Sequence, residues 1–345
     1  LSAAITYTRL EKQTDNRYFV AHIVEIDARK PGVHFAVTQA KNRCETVASM
    51  TERLSAVCGV NGGFFLDGTR PVGMLKVDGD IRCLPIWHRS AVAFPPTGLP
   101  VFANVYGLWK VTLPDGSVRK MADWIDSSKM SPTPSARVIP GISIAKTFDN
   151  PSGLTVVIRH GKVVACPTKS MPLQPDEFAL HITGKDVQKL RKQLTIGASV
   201  KVTAATFPEW HAYPDAVGAG PRLLKNGALA IAGEAKTFRA DILSGRAART
   251  GIGVTKNGHV VLAVVEAPGK YGGGATLREL AALLQARGTC DAMNLDGGGS
   301  SCLALGNETV NYPPHAWVRP VASGVLVFDE TQKQTTHDSE AETRE

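Results

Sequence analysis

Apolar and polar positions alternate over the first forty residues with the period of half-buried strands: Ile5 to Thr8, Tyr18 to Ile26, then Val33 to Val37. The period then lengthens, and Val47, Met50 and Leu54 share one face of a predicted helix over Thr46 to Leu54. An apolar strand, Ala56 to Val60, follows and runs out into Asn61-Gly62-Gly63-Phe64-Phe65. Three hairpins come next. Met74 to Val77 and Asp80 to Leu84 turn at Asp78-Gly79, a strong two-residue turn signal. Leu108 to Leu113 and Val118 to Met121 flank Pro114-Asp115-Gly116, while Leu154 to Ile158 and Lys162 to Ala165 flank His160-Gly161. Serine and proline mark Ser127 to Pro140 as a loop or subdomain edge, and Met171 to Pro175 as another.

Beyond these, Lys185 to Leu194 carries a helical stripe of Val187, Leu190 and Leu194, and Val200 to Phe207 returns to strand. Gly218-Ala219-Gly220-Pro221-Arg222-Leu223-Leu224 makes a small-residue loop leading to Asn226-Gly227. Arg249 to Val254 and His259 to Glu266 form a hairpin across Asn257-Gly258. The best-marked helix is Leu277 to Arg287, with a Thr276/Glu279 capping box, a face of Leu277, Leu280, Ala281 and Leu284, and Gly288 as its stop. Val321 to Phe328 reads as a closing strand. Many strands, three helices and numerous hairpins predict an α+β fold of mixed β-sheets with a few packed helices, not a doubly wound parallel sheet. Residues 1–55 read as a β-rich start of the same unit as 56–329, and the polar, acidic 330–345 as a disordered tail.

Composition narrows the partners. The 345 residues suffice for one large core or two modest ones, and 43% hydrophobic with 20% charged residues describes an ordinary soluble protein. No apolar run of 18 residues is present, so no membrane span is predicted. A net charge of +8 favours anionic partners, but the basic residues are scattered and lack interleaved aromatics. Nucleic acid is therefore not indicated, whereas phosphate-bearing glycans are compatible. Cys44, Cys58, Cys83, Cys166, Cys290 and Cys302 show no C-x-x-C spacing, which argues against zinc. Buried free thiols are expected for several of them, and one or two disulfides suit an oxidising compartment. The start at Leu1 fits a processed or trimmed terminus.

The densest candidate chemistry is Met293-Asn294-Leu295-Asp296-Gly297-Gly298-Gly299-Ser300-Ser301. A short apolar run delivers an aspartate into three glycines and two hydroxyls. Successive glycines can aim several N–H groups at one anionic oxygen, with the serine hydroxyls beside them. The plainer reading is a glycine-rich turn between strands.

Four segments, in order, resemble the phosphodiester glycosidase family: Val60 to Phe65, Gly218 to Leu224, Arg249 to Gly253, and Asn294 to Ser301. The likeness covers roughly Ala56 to Phe328, including the helix before the last motif. It departs after the strand Val260 to Val265, where the family usually shows Asp-Gly-Arg and this chain has Glu266-Ala267-Pro268. The resemblance implies hydrolysis of the sugar C1–O bond in a sugar–phosphate diester. Such chemistry needs a carboxylate to activate water or attack C1, and donors to hold the phosphate. Asp296 and Glu266 are then the candidate catalytic carboxylates. The candidate substrate- and phosphate-binding residues are Asn61, Gly62, Gly220, Arg249, Thr250, Asn294, Gly297, Gly298, Gly299 and Ser300. Arg249 is the candidate phosphate clamp, and Asn61 a ligand for a sugar hydroxyl or acetamido group. No cofactor or metal is called for, the substrate class implies a secreted or cell-envelope protein, and the oligomeric state is left open.

Competing motifs fail. In Gly269-Lys270-Tyr271-Gly272-Gly273-Gly274-Ala275-Thr276, alanine stands where a P-loop needs lysine. Ser300 lacks the second glycine of a hydrolase nucleophile elbow. The remaining alternative is a non-catalytic phospho-glycan-binding module of the same fold.

Overall fold

The computed structural model describes residues 2–14, 17–41, 44–66, 70–123, 136–141, 153–267, 273–312 and 316–331. The expected tail therefore lies almost wholly outside the described residues, as do most of the serine- and proline-rich run and part of the rejected P-loop.

Strands dominate. A first sheet of seven strands runs Ile5–Thr14, Arg17–Asp27, His259–Val265, Arg249–Thr255, Thr289–Asn294, Arg222–Lys225 and Ala228–Leu229, every neighbour antiparallel. A second sheet orders Glu308–Thr309, Leu303–Leu305, Cys58–Asn61, Ser323–Asp329 and Val33–Gln39. A third orders Val101–Asn104, Ser90–Phe94, Asp215–Gly218, Leu75–Val77 and Asp80–Cys83. The middle of the chain forms an outer sheet from Tyr106–Thr112 to Lys201–Phe207, with its own apolar cluster around Trp109, Val156, Leu180 and Leu190. Its pairing of Val118–Asp123 with Ala136–Pro140 is parallel. The mixed-sheet expectation holds at this coarse level, but helices are few and short, so strands carry the architecture.

Side-chain alternation explains the layering. Val24, Ile26, Leu262, Val264, Ile252 and Met293 point from the first sheet into one core, where they meet Phe35, Val60, Val325 and Val327 of the second sheet and Val92, Phe94 and Val217 of the third. The alternate residues, Ile23, Val261, Ala263 and Val265, pack under the helix Leu277–Gln285 through Leu277, Leu280 and Leu284. Buried on both faces, the strand His259–Val265 reads as an unbroken apolar run. The Thr276/Glu279 capping box forms as the sequence predicts.

Four local differences stand out. In the helix Val47–Leu54, Leu54 is exposed while Thr51 is fully buried, its hydroxyl donating to the Val47 and Ala48 carbonyls. Ala136–Pro140, expected to be loop, is a buried strand beside Glu177–Ile182. The helix at Leu277 ends at Gln285, two residues before the expected Arg287. All six cysteines are free thiols, so the disulfides allowed by the sequence do not form; burial pushes the Cys58 thiol up to about 12.

Candidate active site

Two strand exits from facing sheets are laced together at one edge. Cys58–Asn61 of the second sheet and Thr289–Asn294 of the first end side by side, and Asp296 N–H donates to the Gly62 carbonyl at 3.1 Å. Asn61 is the staple. Its Nδ2 donates to the Asp296 carbonyl at 2.8 Å, and its Oδ1 accepts from Thr250 Oγ1 at 2.7 Å and from Cys302 N–H at 3.0 Å. Asn294 does the same two residues upstream of Asp296, donating through Nδ2 to Gly220 O at 2.9 Å, while Gly220 N–H returns to Asn294 O at 2.9 Å. Gly220 sits at φ +102° with no room for a Cβ, which would lie 2.8 Å from Glu234 Oε2 and 2.9 Å from the Phe238 ring. Asn61, Gly62, Gly220, Thr250 and Asn294 are all buried. Most of their polar groups fix the loop, Asn294 Oδ1 being left over among the described residues.

The glycines behave differently from an open anion nest. Gly298–Ser300 is a single 3-10 turn. Gly297 N–H donates to Asp296 Oδ1 at 2.9 Å, Gly298 N–H to Ala248 O at 2.7 Å, Ser300 N–H to Gly297 O at 3.2 Å and Ser301 N–H to Gly298 O at 3.1 Å. Among the described residues only the Gly299 N–H of this run is left without an acceptor. The turn therefore aims the Asp296 side chain more than it cradles an anion. Buried Asn294 Oδ1 and Ser301 Oγ also lack partners among the described residues.

Asp296 is half-buried at the strand exit. Burial raises its carboxyl above the ordinary value, against the Ser300 hydroxyl, the Gly297 N–H and the charge of Arg319, which pull it down. Arg319 escaped the sequence reading because it lies outside every glycine motif. It is exposed, stacks at 5.1 Å over the Phe65 ring, and reaches the edge of Gly299. It makes no ion pair among the described residues.

Arg249 lies beside the turn with most of its guanidinium engaged. It is 4% exposed, and its guanidinium donates to three backbone carbonyls, Ala275 at 3.0 Å, Ile242 at 3.0 Å and Gly245 at 2.6 Å. Among the described residues Nη1 has no hydrogen-bond partner, and it lies on the Gly297 side. Glu266, at the end of the neighbouring strand, faces the inner layer instead. Its Oε1 lies 2.6 Å from His22 Nε2, and His22 Nδ1 lies 2.8 Å from the Tyr7 hydroxyl. Tyr312, whose hydroxyl donates to Gly299 O at 3.4 Å, closes the arrangement. Burial raises its phenol, the Cys302 and Glu266 charges add to this, and Arg319 opposes.

A model of the phosphodiester glycosidase family matches residues 139–328, more than half of the chain. The chain belongs to that family. This phosphodiester glycosidase family member is also similar in fold to two solved structures. A hypothetical protein from Synechocystis superposes with a TM-score of 0.75 at 25% identity, over 94% of this chain and 62% of that one. A Burkholderia pseudomallei K96243 protein, named as a candidate exported protein, gives 0.72 at 20% identity, over 90% and 74%. This chain thus spans less than two thirds of the Synechocystis protein. The zebrafish N-acetylglucosamine-1-phosphodiester alpha-N-acetylglucosaminidase catalytic domain, auto-inhibited by its pro-peptide, gives 0.48 at 15% identity. No curated protein matches.

Two further features of this family member lie apart from the motifs. A cavity of about 510 Å³, lined by Lys76, Arg82, Trp109, Phe178 and His211 among others, opens between the hairpin at Asp78-Gly79 and the outer sheet. None of the motif residues lines it. Among the described residues no group of three His, Cys, Asp or Glu side chains is placed to hold a metal ion, and no helix is long and apolar enough to cross a membrane.

Proposed function

We propose that this chain hydrolyses the C1–O bond of a sugar–phosphate diester. The observation that carries the reading is Asp296: a half-buried carboxylate held at a strand exit by Gly297 N–H and Ser300, with the exposed guanidinium of Arg319, in no ion pair among the described residues, acting on it. An acid with an exposed cation near it suits a substrate that becomes cationic at C1 and is anionic at phosphorus. Asp296 activates water or attacks C1. The C1–O bond breaks, its electron pair leaves with the phosphate oxygen as a phosphomonoester, and water supplies the new sugar hydroxyl. Arg319, with the Gly299 N–H, takes the phosphate-contacting role that the sequence gives to Arg249. Glu266 is the second carboxylate. An exported or envelope setting suits such a substrate.

The test is turnover of a panel of sugar-1-phospho-nitrophenyl diesters, beginning with N-acetylglucosamine, in water enriched in oxygen-18. Cleavage at C1 puts the label on the sugar and leaves nitrophenyl phosphate, which becomes coloured only after added phosphatase. Asp296→Asn should lower the rate roughly a hundredfold or more. Binding of these diesters without turnover would favour a phospho-glycan-binding module, and label in phosphate would assign P–O cleavage instead.

A further inference from the structure

Resting on that reading, we propose that the N-terminal hairpin belongs to the active site, its buried His22, braced by Tyr7, acting as a positioning residue for the Glu266 carboxylate. His22 occupies an inward position of the strand Arg17–Asp27, where Val20, Val24 and Ile26 are each 0% exposed and His22 itself is 1% exposed. An imidazole is costly there unless both nitrogens are satisfied. They are, by Glu266 at 2.6 Å and Tyr7 at 2.8 Å. An apolar side chain would fill the same space without that cost, so the polar chain needs a reason beyond packing.

The direction of the chain follows from its acceptor. An ionised Glu266 only accepts, so His22 Nε2 carries a proton toward it; in the neutral ring Nδ1 then accepts from the Tyr7 hydroxyl. The network leaves Glu266 one fixed oxygen and one orientation, while the residue remains about a quarter exposed (25%) at the strand end. Charged and titratable groups reach this chain from every side. Arg9 stands opposite His22 in the strand register, Tyr7 lies on the same strand as Arg9, and Glu266 directly follows the adjoining strand His259–Val265. From the loop beyond, Glu266 is felt by Tyr312, which also feels Arg319. Tyr7 and His22 both lie outside the segment matched by the family model, so the hairpin contributes a part of the site that segment lacks.

The experiment compares His22→Leu, His22→Gln and Tyr7→Phe in the full chain. His22→Leu should lower kcat about tenfold or more, leave KM within about twofold, and move one limb of the kcat pH profile. His22→Gln, which keeps an N–H near Glu266, should recover most of kcat, and Tyr7→Phe should fall between. A folded His22→Leu protein with unchanged kcat and pH profile overturns the proposal, as does His22→Gln no better than His22→Leu. Nitrogen-15 NMR of His22 gives a readout that needs no substrate. Glu266→Gln should shift the Nε2 resonance; an unmoved resonance overturns the coupling. Absence of turnover in the wild-type protein with this shift intact would fell the glycosidase reading and leave the Glu266–His22 contact standing.

Discussion

Arg249 and Arg319 show how burial redistributes roles among like residues. Both stand beside the glycine turn, but Arg249 is buried against the Ala275, Ile242 and Gly245 carbonyls, and Arg319 is exposed. Arg249→Ala strands three acceptors and should destabilise the fold by about 3 kcal/mol or more. Arg319→Ala should change stability by no more than about 0.5 kcal/mol while raising KM for a sugar-phosphodiester about tenfold. Denaturant unfolding together with steady-state kinetics checks both, and the reverse pattern would return the clamp to Arg249. Asp296 carries a second prediction. Its folded carboxyl is raised by burial, so the folded state holds the proton more tightly than the unfolded one. Stability is then lost as pH rises from the unfolded to the folded value, and stays lost above it. Asp296→Asn should therefore melt higher than wild type at pH 7, with the gap closing near pH 3, even as turnover collapses. Sequence marked Asp296 because glycines punctuate the chain around it. His22 left a fainter mark, a polar residue in the inward register of Val20, Val24 and Ile26. That Asn61, Thr250 and Asn294 are staples was not legible, since their burial comes from strands distant in sequence.

The hairpins were readable because their turns are local. Asp78-Gly79, His160-Gly161 and Asn226-Gly227 all take paired positive φ angles, which two-residue hairpin turns of this kind require. Other strands left no periodic trace. Ser90–Phe94 is buried at every position, with Ser90 satisfied by Glu234, so nothing alternates. Glu177–Ile182 begins with a buried glutamate whose partner, Arg159, lies on the next strand. The helix Leu277–Gln285 was legible for the opposite reason, since its cap and its apolar stripe are both encoded within a dozen residues. Its capping box fixes the start of the helix whose far end turns into the strand before Asp296. Thr276→Ala should cost about 1 kcal/mol, lowering Tm by roughly 1–2 °C in a protein of 345 residues. Calorimetry showing no change would mean that packing under Leu280 and Leu284 alone fixes the helix.

At the scale of the whole molecule, the matched segment does not hold all the strands of its own sheets. Residues 139–328 carry Arg249, Glu266 and Asp296. Yet the strand Cys58–Asn61 lies between Leu303–Leu305 and Ser323–Asp329, and Val33–Gln39 pairs with Ser323–Asp329 along its full length. The strand Arg17–Asp27 covers the free side of His259–Val265. Without these and the strand Ser90–Phe94, the second sheet loses its centre and one edge, the main core loses Val24, Phe35, Cys58, Val60, Val92 and Phe94, and Asp296 loses the Asn61 staple. Pairings between opposite ends of a chain leave no local signal, which is why the sequence could name the N-terminal strands but not where they dock. A fragment of residues 139–328 should therefore fail to fold. It would expose strand edges, bind a hydrophobic dye, aggregate, and show neither cooperative unfolding nor turnover. If that fragment instead unfolds cooperatively at the temperature of the full chain and hydrolyses a sugar-phosphodiester, both the architectural argument and the place of the N-terminal hairpin in the active site are wrong.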